Sequence, residues 1–136
     1  MSAPTATTGT GVTLGLYVLD CPDPWELAAF YGGMLGAEVA AGSSDDWVEL
    51  TGPGTGLAFQ RVAHHQPPRW PDGTPQQAHL DLRVDRYEEP HALALSLGAR
   101  PLDPLTPPSV DEARDFRVYA DPAGHPFCLC TCAPAS

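Results

Sequence analysis

Apolar residues recur at helical spacing in the segment 24–35. The apolar positions lie three or four residues apart and fall on one face of a helix: Leu27, Phe30, Tyr31 and Met34. Asp23 followed by Pro24 is typical of an N-cap and a first helical position, and Gly36 stands where a left-handed C-cap residue is expected. The pattern therefore predicts a helix over about 24–35.

Short apolar runs around this helix predict strands near 14–20, 38–41, 47–50 and 57–62. The second half repeats the order, with a helix over about 87–97 that stops at Gly98. Its predicted strands lie near 78–84, 100–102, 116–120 and 126–131. Both halves read βαβββ, so we predict an α+β fold of two modules, about 13–63 and 77–132, in one domain over 13–132. The Thr-, Ala- and Gly-rich segment 1–12 is predicted to be disordered.

Charge and composition exclude several functions. The net charge is -10 with a pI of about 4.6, which repels nucleic-acid phosphates, and the sequence has no lysine for imine catalysis. We find neither a signal peptide nor an apolar run long enough for a membrane span. We expect a soluble, cytoplasmic protein with no nucleic-acid or membrane partner.

Three of the four cysteines alternate along the last predicted strand: Cys128, Cys130 and Cys132. Residues two apart point to the same face of a strand. Without a secretion signal, free thiols are expected for these three and for Cys21. The C-x-C-x-C spacing differs from the C-x-x-C spacing of structural zinc sites.

Alternation along the segment 78–84 predicts a polar face of His79, Asp81 and Arg83, and an apolar face that packs against the second helix. Two interpretations of the polar face stand. In one, Asp81 and Arg83 form an internal ion pair and His79 bonds to a neighbour. In the other, His79 is a general acid or base that Asp81 orients, since a carboxylate fixes the imidazole tautomer and raises its basicity.

The same alternation places Gln60 and Cys128 on the inward face of their strands, opposite an apolar wall that includes Leu16. A cavity with an apolar wall and a few polar groups fits a small ligand. Trp70, in a loop, either closes one end of this cavity or stacks on the ligand. Trp47 is interpreted as a packing residue, His91 as a helix-surface residue, and His125 as serving loop geometry or dimer contacts.

Several spaced motifs resemble the vicinal-oxygen-chelate superfamily of glyoxalases, bleomycin resistance proteins and extradiol dioxygenases, and more narrowly its glyoxalase-like subgroup. The motifs are Asp23 with Phe30-Tyr31 and Leu35-Gly36, His79-Leu-Asp-Leu-x-Val84, Leu97-Gly98-Ala99 and Asp121-Pro-x-Gly-His125-Pro-Phe127. The resemblance implies a curved mixed sheet with an internal cavity, helices on its convex side, and a homodimer.

In metal-dependent members of this superfamily, each module supplies ligands from its first and last strands. The corresponding positions here are Leu16, Gln60, His79 and Cys128, and only His79 matches the usual residue type. Cys128 would bind a metal only as a thiolate, and Leu16 has no ligand atom.

We therefore predict a small-molecule-binding protein that lacks the standard metal-ligand set. It either sequesters a hydrophobic metabolite or antibiotic, or catalyses a metal-free acid–base step through His79 and Asp81, with Leu16, Gln60, Trp70, Arg83 and Cys128 around the ligand. The alternative is a lyase, isomerase or dioxygenase with a divalent metal on His79, Gln60 and Cys128.

Overall fold

Helix α1 (Pro24–Leu35) has the bounds that its apolar spacing predicts. In the computed structural model, which describes residues 9–11, 14–52, 56–69, 72–75 and 77–131, the Asp23 carboxylate accepts hydrogen bonds from the first-turn N–H groups of Trp25 and Glu26. Gly36 ends the helix with φ 67°, in the left-handed region that glycine adopts without strain.

The first module forms a four-stranded mixed sheet. Its strands are β1 (Tyr17–Cys21), β2 (Glu38–Val39), β3 (Trp47–Thr51) and β4 (Leu57–Arg61), in the order β1-β4-β3-β2. Strand β1 is parallel to β4, and the other pairs are antiparallel.

The second module repeats this topology. Strand β5 (Leu80–Arg83) precedes helix α2 (Glu88–Ser96), and β6 (Arg100–Asp103), β7 (Phe116–Ala120) and β8 (Pro126–Cys130) follow, in the order β5-β8-β7-β6. The predicted α+β fold of two βαβββ modules is confirmed. The two sheets are not closed, because their edge strands β1 and β5 are not paired with each other in the described residues.

Aromatic side chains of α1 join the two modules. The Tyr31 ring stacks on Phe59 of β4 at 5.8 Å between centroids and meets Phe127 of β8 at 6.1 Å. All three side chains are fully buried. One helix face therefore packs against strands from both sheets, which fixes the position of one module against the other.

The Asp-Pro-Ala-Gly-His turn before β8 is built around a buried carboxylate. Oδ1 of Asp121 accepts hydrogen bonds from the N–H groups of Ala123 (2.8 Å) and His125 (3.0 Å). The His125 ring reaches the Asp20 carbonyl, at 2.6 Å from Nε2. This turn thus has a structural role, as predicted for His125.

Two sequence interpretations are wrong. His91 is buried, with Nδ1 2.7 Å from the hydroxyl of Tyr119, because the second helix turns this residue towards β7 and not to the surface. Cys130 is disulfide-bonded, whereas Cys21 and Cys128 are free thiols as expected.

Trp70, Cys132 and most of the segment 1–12 lie outside the described residues. Among the described residues, neither helix is long and apolar enough to cross a membrane.

Candidate functional site

His79 and Asp81 form a hydrogen-bonded pair at the start of β5. The distance from His79 Nε2 to Asp81 Oδ1 is 3.1 Å, and the side chains are 37% and 59% exposed. A bond to a carboxylate assigns the imidazole proton to Nε2, so Nδ1 carries the lone pair. No described residue forms a hydrogen bond with Nδ1, which leaves it available to a ligand.

Strand alternation places this pair on the sheet face opposite the helices. Leu80 and Leu82 pack against the core, whereas Asp81 and Arg83 are exposed, as the sequence predicts. The parallel register sets Asp81 beside Cys128 of β8, and Cys128 beside Val118 of β7. We call the face that carries Asp81, Cys128 and Val118 the Asp81 face; Asp81 is exposed on it, whereas Cys128 and Val118 are buried.

The Cys128 thiol is held in its neutral form. Burial raises its pKa to about 12, and the charge of Asp81 and a hydrogen bond to that carboxylate contribute in the same direction. A thiol reacts as a nucleophile or binds a metal only after it loses its proton. At neutral pH, Cys128 is therefore a protonated thiol beside the Asp81 carboxylate.

His79, Asp81 and Cys128 also form a cluster of metal-ligand types. One ligand atom from each lies within 4.8 Å of the others. Nitrogen, oxygen and thiolate donors fit zinc in a tetrahedral site with one open position, and do not fit an oxygen-rich octahedral ion such as manganese. The cluster comes from two neighbouring strands of one sheet.

The other predicted site residues lie at other positions in the fold. Gln60 lies on β4 of the first sheet, paired with Asp20 and Trp47. Leu16 is half-buried just before β1, and Arg83 is two residues beyond Asp81. Asp81 lies beside His79 and Cys128, the two residues that the sequence interpretation combined with Gln60.

Trp47, interpreted from the sequence as a packing residue, and Glu49, given no site role, lie on the same face as Gln60. The register sets Trp47 opposite Gln60, and Glu49 opposite Ala58. Residues opposite each other in a sheet share a face. Trp47 Nε1 donates to Glu49 Oε1 at 3.5 Å, and both side chains are half-buried. Extending the predicted alternation of β4 to its partner strand would have found them.

Comparison with known proteins identifies the family. A family model described as a glyoxalase-like domain matches residues 17–130. None of the curated proteins matches the sequence.

Similar solved structures share the fold at low sequence identity. A glyoxalase/bleomycin resistance protein/dioxygenase family enzyme from Burkholderia phytofirmans has a TM-score of 0.65 and 17% identity, covering 87% of this chain and 97% of its own. A fosfomycin resistance protein from Listeria monocytogenes has a TM-score of 0.66 and 18% identity, covering 92% and 94%. A mutant of the latter, similar at a TM-score of 0.65 and 19% identity over 89% of this chain and 90% of its own, was crystallised with Mn(II) and a dihydroxypropylphosphonic acid.

These likenesses cover nearly the whole chain and agree with its βαβββ repeat, while their identities establish the fold alone. The match to the family model spans most of the sequence, and so the chain belongs to the glyoxalase-like domain family.

Proposed function

We propose that this protein binds a small molecule at the exposed His79 and Asp81 side chains of the Asp81 face and transfers a proton on it through His79. The observation that carries this proposal is the His79–Asp81 pair at 3.1 Å, with Nδ1 left without a partner among the described residues. The neutral imidazole accepts a proton at Nδ1, and the Asp81 carboxylate stabilises the imidazolium that forms. This proton transfer needs neither a cysteine thiolate nor a metal ion.

The substrate class that suits this pair is a small carbonyl compound with an acidic C–H bond. His79 would remove the proton and return it to the same or a neighbouring atom, so no group is transferred and no redox partner is required. Trp47 and Gln60 on the first sheet offer an aromatic surface and an amide for orienting such a ligand. Trp70 and Leu16 remain predicted contacts.

Hydrogen–deuterium exchange tests this proposal directly. A panel of small ketones and aldehydes is incubated with the protein in D2O, and mass spectrometry reports deuterium uptake at carbon. We expect His79→Gln to lower the exchange rate about 100-fold or more, the usual contribution of a general base. Asp81→Asn should lower the rate and shift its pH profile, and His64→Gln, in an exposed loop, is the control.

Two results would change the conclusion. Stoichiometric binding without exchange for any compound would leave sequestration as the function. Equal exchange rates in the protein and in His79→Gln would remove the pair from the chemistry.

A metal-dependent activity is the second candidate, favoured by the His79, Asp81 and Cys128 cluster. Titration with cobalt(II) separates the two candidates, because a cobalt–thiolate bond gives a charge-transfer absorption that Cys128→Ser would abolish. Zinc would hold the ligand by an oxygen in its open position. A spectrum unchanged by cobalt would leave the metal-free mechanism.

The predicted homodimer belongs to this proposal as well. A native mass spectrum of the purified chain reports the oligomeric state, bound metal and any co-purified ligand together.

A further inference from the structure

A second binding region lies beside the two helices, and its lining reaches Asp81 and Arg83 of the candidate site. It is a groove of about 880 Å³ between the last turn of α1 and helix α2, and it runs along the unpaired edges of β1 and β5. Its volume lies within the range of small-molecule sites. The walls are largely apolar and include Met34, Leu82 and Leu93.

Apolar side chains at this groove are only partly covered by the rest of the chain. Tyr17 is 44% exposed, Leu35 39% and Leu93 41%. Grouped exposed apolar side chains are unusual on a soluble protein and mark a binding surface, because each loses stabilisation by facing water. An apolar ligand in the groove would remove them from water.

The charged residues at the groove indicate which charge a ligand there should carry. The Asp81 carboxylate accepts a hydrogen bond from His79, and Arg83 already interacts with another group of the protein. The Glu89 carboxylate, at the start of α2, forms no ion pair or hydrogen bond with any described residue. The net charge of -10 also attracts cations to the surface.

We propose that this groove binds a lipophilic cation, a molecule with an apolar body and one ammonium group that pairs with Glu89. The apolar body lies against Met34, Leu82 and Leu93, and the ammonium group remains at the exposed rim. The groove shares Asp81 with the candidate site, but the proposed binding uses Glu89 and the apolar walls and not the His79 imidazole.

Calorimetric titration with decyltrimethylammonium, below its micelle concentration, tests the proposal on the full chain. We expect one molecule bound per chain, and binding about tenfold weaker for octyltrimethylammonium because two methylene groups are lost. Decanoate, with the same chain and the opposite charge, should bind at least about threefold more weakly, the effect of one exposed charge pair.

The apolar body and the charge of the ligand are each tested with one variant in the groove and one matched control outside it. Leu93→Gln should weaken binding about fivefold or more, while Leu95→Gln, at a similar 39% exposure on the same helix but outside the groove, should not change it. Glu89→Gln should weaken binding about two- to fivefold, and the neighbouring Glu88→Gln should not.

Three outcomes would overturn the proposal: decanoate binding as tightly as the cation, equal effects of Leu93→Gln and Leu95→Gln, or a dimer in native mass spectra that excludes the probe from the groove. All four exchanged positions are exposed, so the variants should fold, and circular dichroism checks this. Probe binding that persists in His79→Gln separates this site from the proposed active site.

Discussion

The Tyr31 hydroxyl donates a hydrogen bond of 2.7 Å to Oδ2 of Asp121 inside the core. Tyr31 belongs to α1 of the first module, and Asp121 begins the turn before the last strand of the second. The Asp121 carboxyl is 2% exposed, and burial raises its pKa above the usual value of 3.8, while the Tyr31 hydrogen bond acts in the opposite direction. This pair therefore joins the modules and makes the Asp121 charge tolerable.

Tyr31→Phe should destabilise the protein by about 1–3 kcal/mol at pH 7, because the buried carboxylate loses a donor while the ring contact with Phe59 is kept. The native pKa of Asp121 is raised, so the folded state binds its proton more tightly than the unfolded chain. Its contribution to stability is highest at low pH and falls as pH rises through the native pKa. The variant raises that pKa further, so the cost should be smaller near pH 4 than at pH 7 in urea denaturation.

Tyr87→Phe is the matched control, since the Tyr87 hydroxyl donates at 2.8 Å to the neutral carbonyl of Arg114. Its cost should be the same at both pH values. A pH-independent cost for Tyr31→Phe would show that Asp121 does not carry the charge assigned to it.

Local sequence patterns predicted most of the fold. They did not predict the contacts between residues far apart in the chain. The bounds of α1 were predicted correctly from the spacing of Leu27, Phe30 and Tyr31 and from the flanking cap residues. A helix face and its caps depend on residues that are close together in the sequence. Alternation gave the common face of His79 and Asp81 for the same reason.

The contacts that the sequence did not predict join residues far apart in the chain. Nothing near Tyr31 indicates Asp121 as its partner, and the burial of His91 depends on Tyr119, which approaches only when β7 packs under α2. Asp81 meets Cys128 through the parallel register of two strands, and that register follows from the whole second sheet.

Glu112→Gln should cost about 3–5 kcal/mol of unfolding free energy, because it removes the counter-charge of a buried arginine. Arg117 is 1% exposed on β7, and its Nη1 lies 2.6 Å from both carboxylate oxygens of Glu112. Its Nη2 donates to the Thr106 carbonyl, and its Nε has no partner among the described residues. Once Glu112 is neutral, the Thr106 carbonyl and the Tyr87 ring, 6.0 Å from Cζ, remain beside the guanidinium, and neither carries a charge.

Asp103→Asn provides the comparison for this prediction. Asp103 pairs with Arg114 at 3.6 Å, with side chains 52% and 40% exposed, and such surface pairs contribute about 0–1 kcal/mol. Equal losses of stability in the two variants, measured by urea denaturation, would contradict the burial of the Arg117 charge.

Gly124→Ala should destabilise the turn before β8 by about 2 kcal/mol or more. Gly124 has φ +91°, where an L side chain costs about 1–2 kcal/mol, and a Cβ atom there would lie 2.5 Å from Cβ of Pro67. Gly42 has a similar φ of +87° with no atom within 4 Å, so Gly42→Ala should show the backbone cost alone. The difference between the two variants in urea denaturation measures the contact with Pro67. No difference would mean that the segment around Pro67 moves away at little cost.

Asp81→Asn should increase the rate at which iodoacetamide alkylates Cys128 and leave Cys21 unchanged. Both thiols are buried, and their pKa values are raised to about 12 for Cys128 and about 11 for Cys21. The Asp81 carboxylate contributes to the first value only, so its neutralisation lowers the Cys128 pKa and raises the thiolate fraction between pH 8 and 9. Peptide mass spectrometry without reduction follows the two sites separately. An unchanged Cys128 rate would show that the Asp81 charge does not contribute to the raised pKa of this thiol and that burial alone accounts for it.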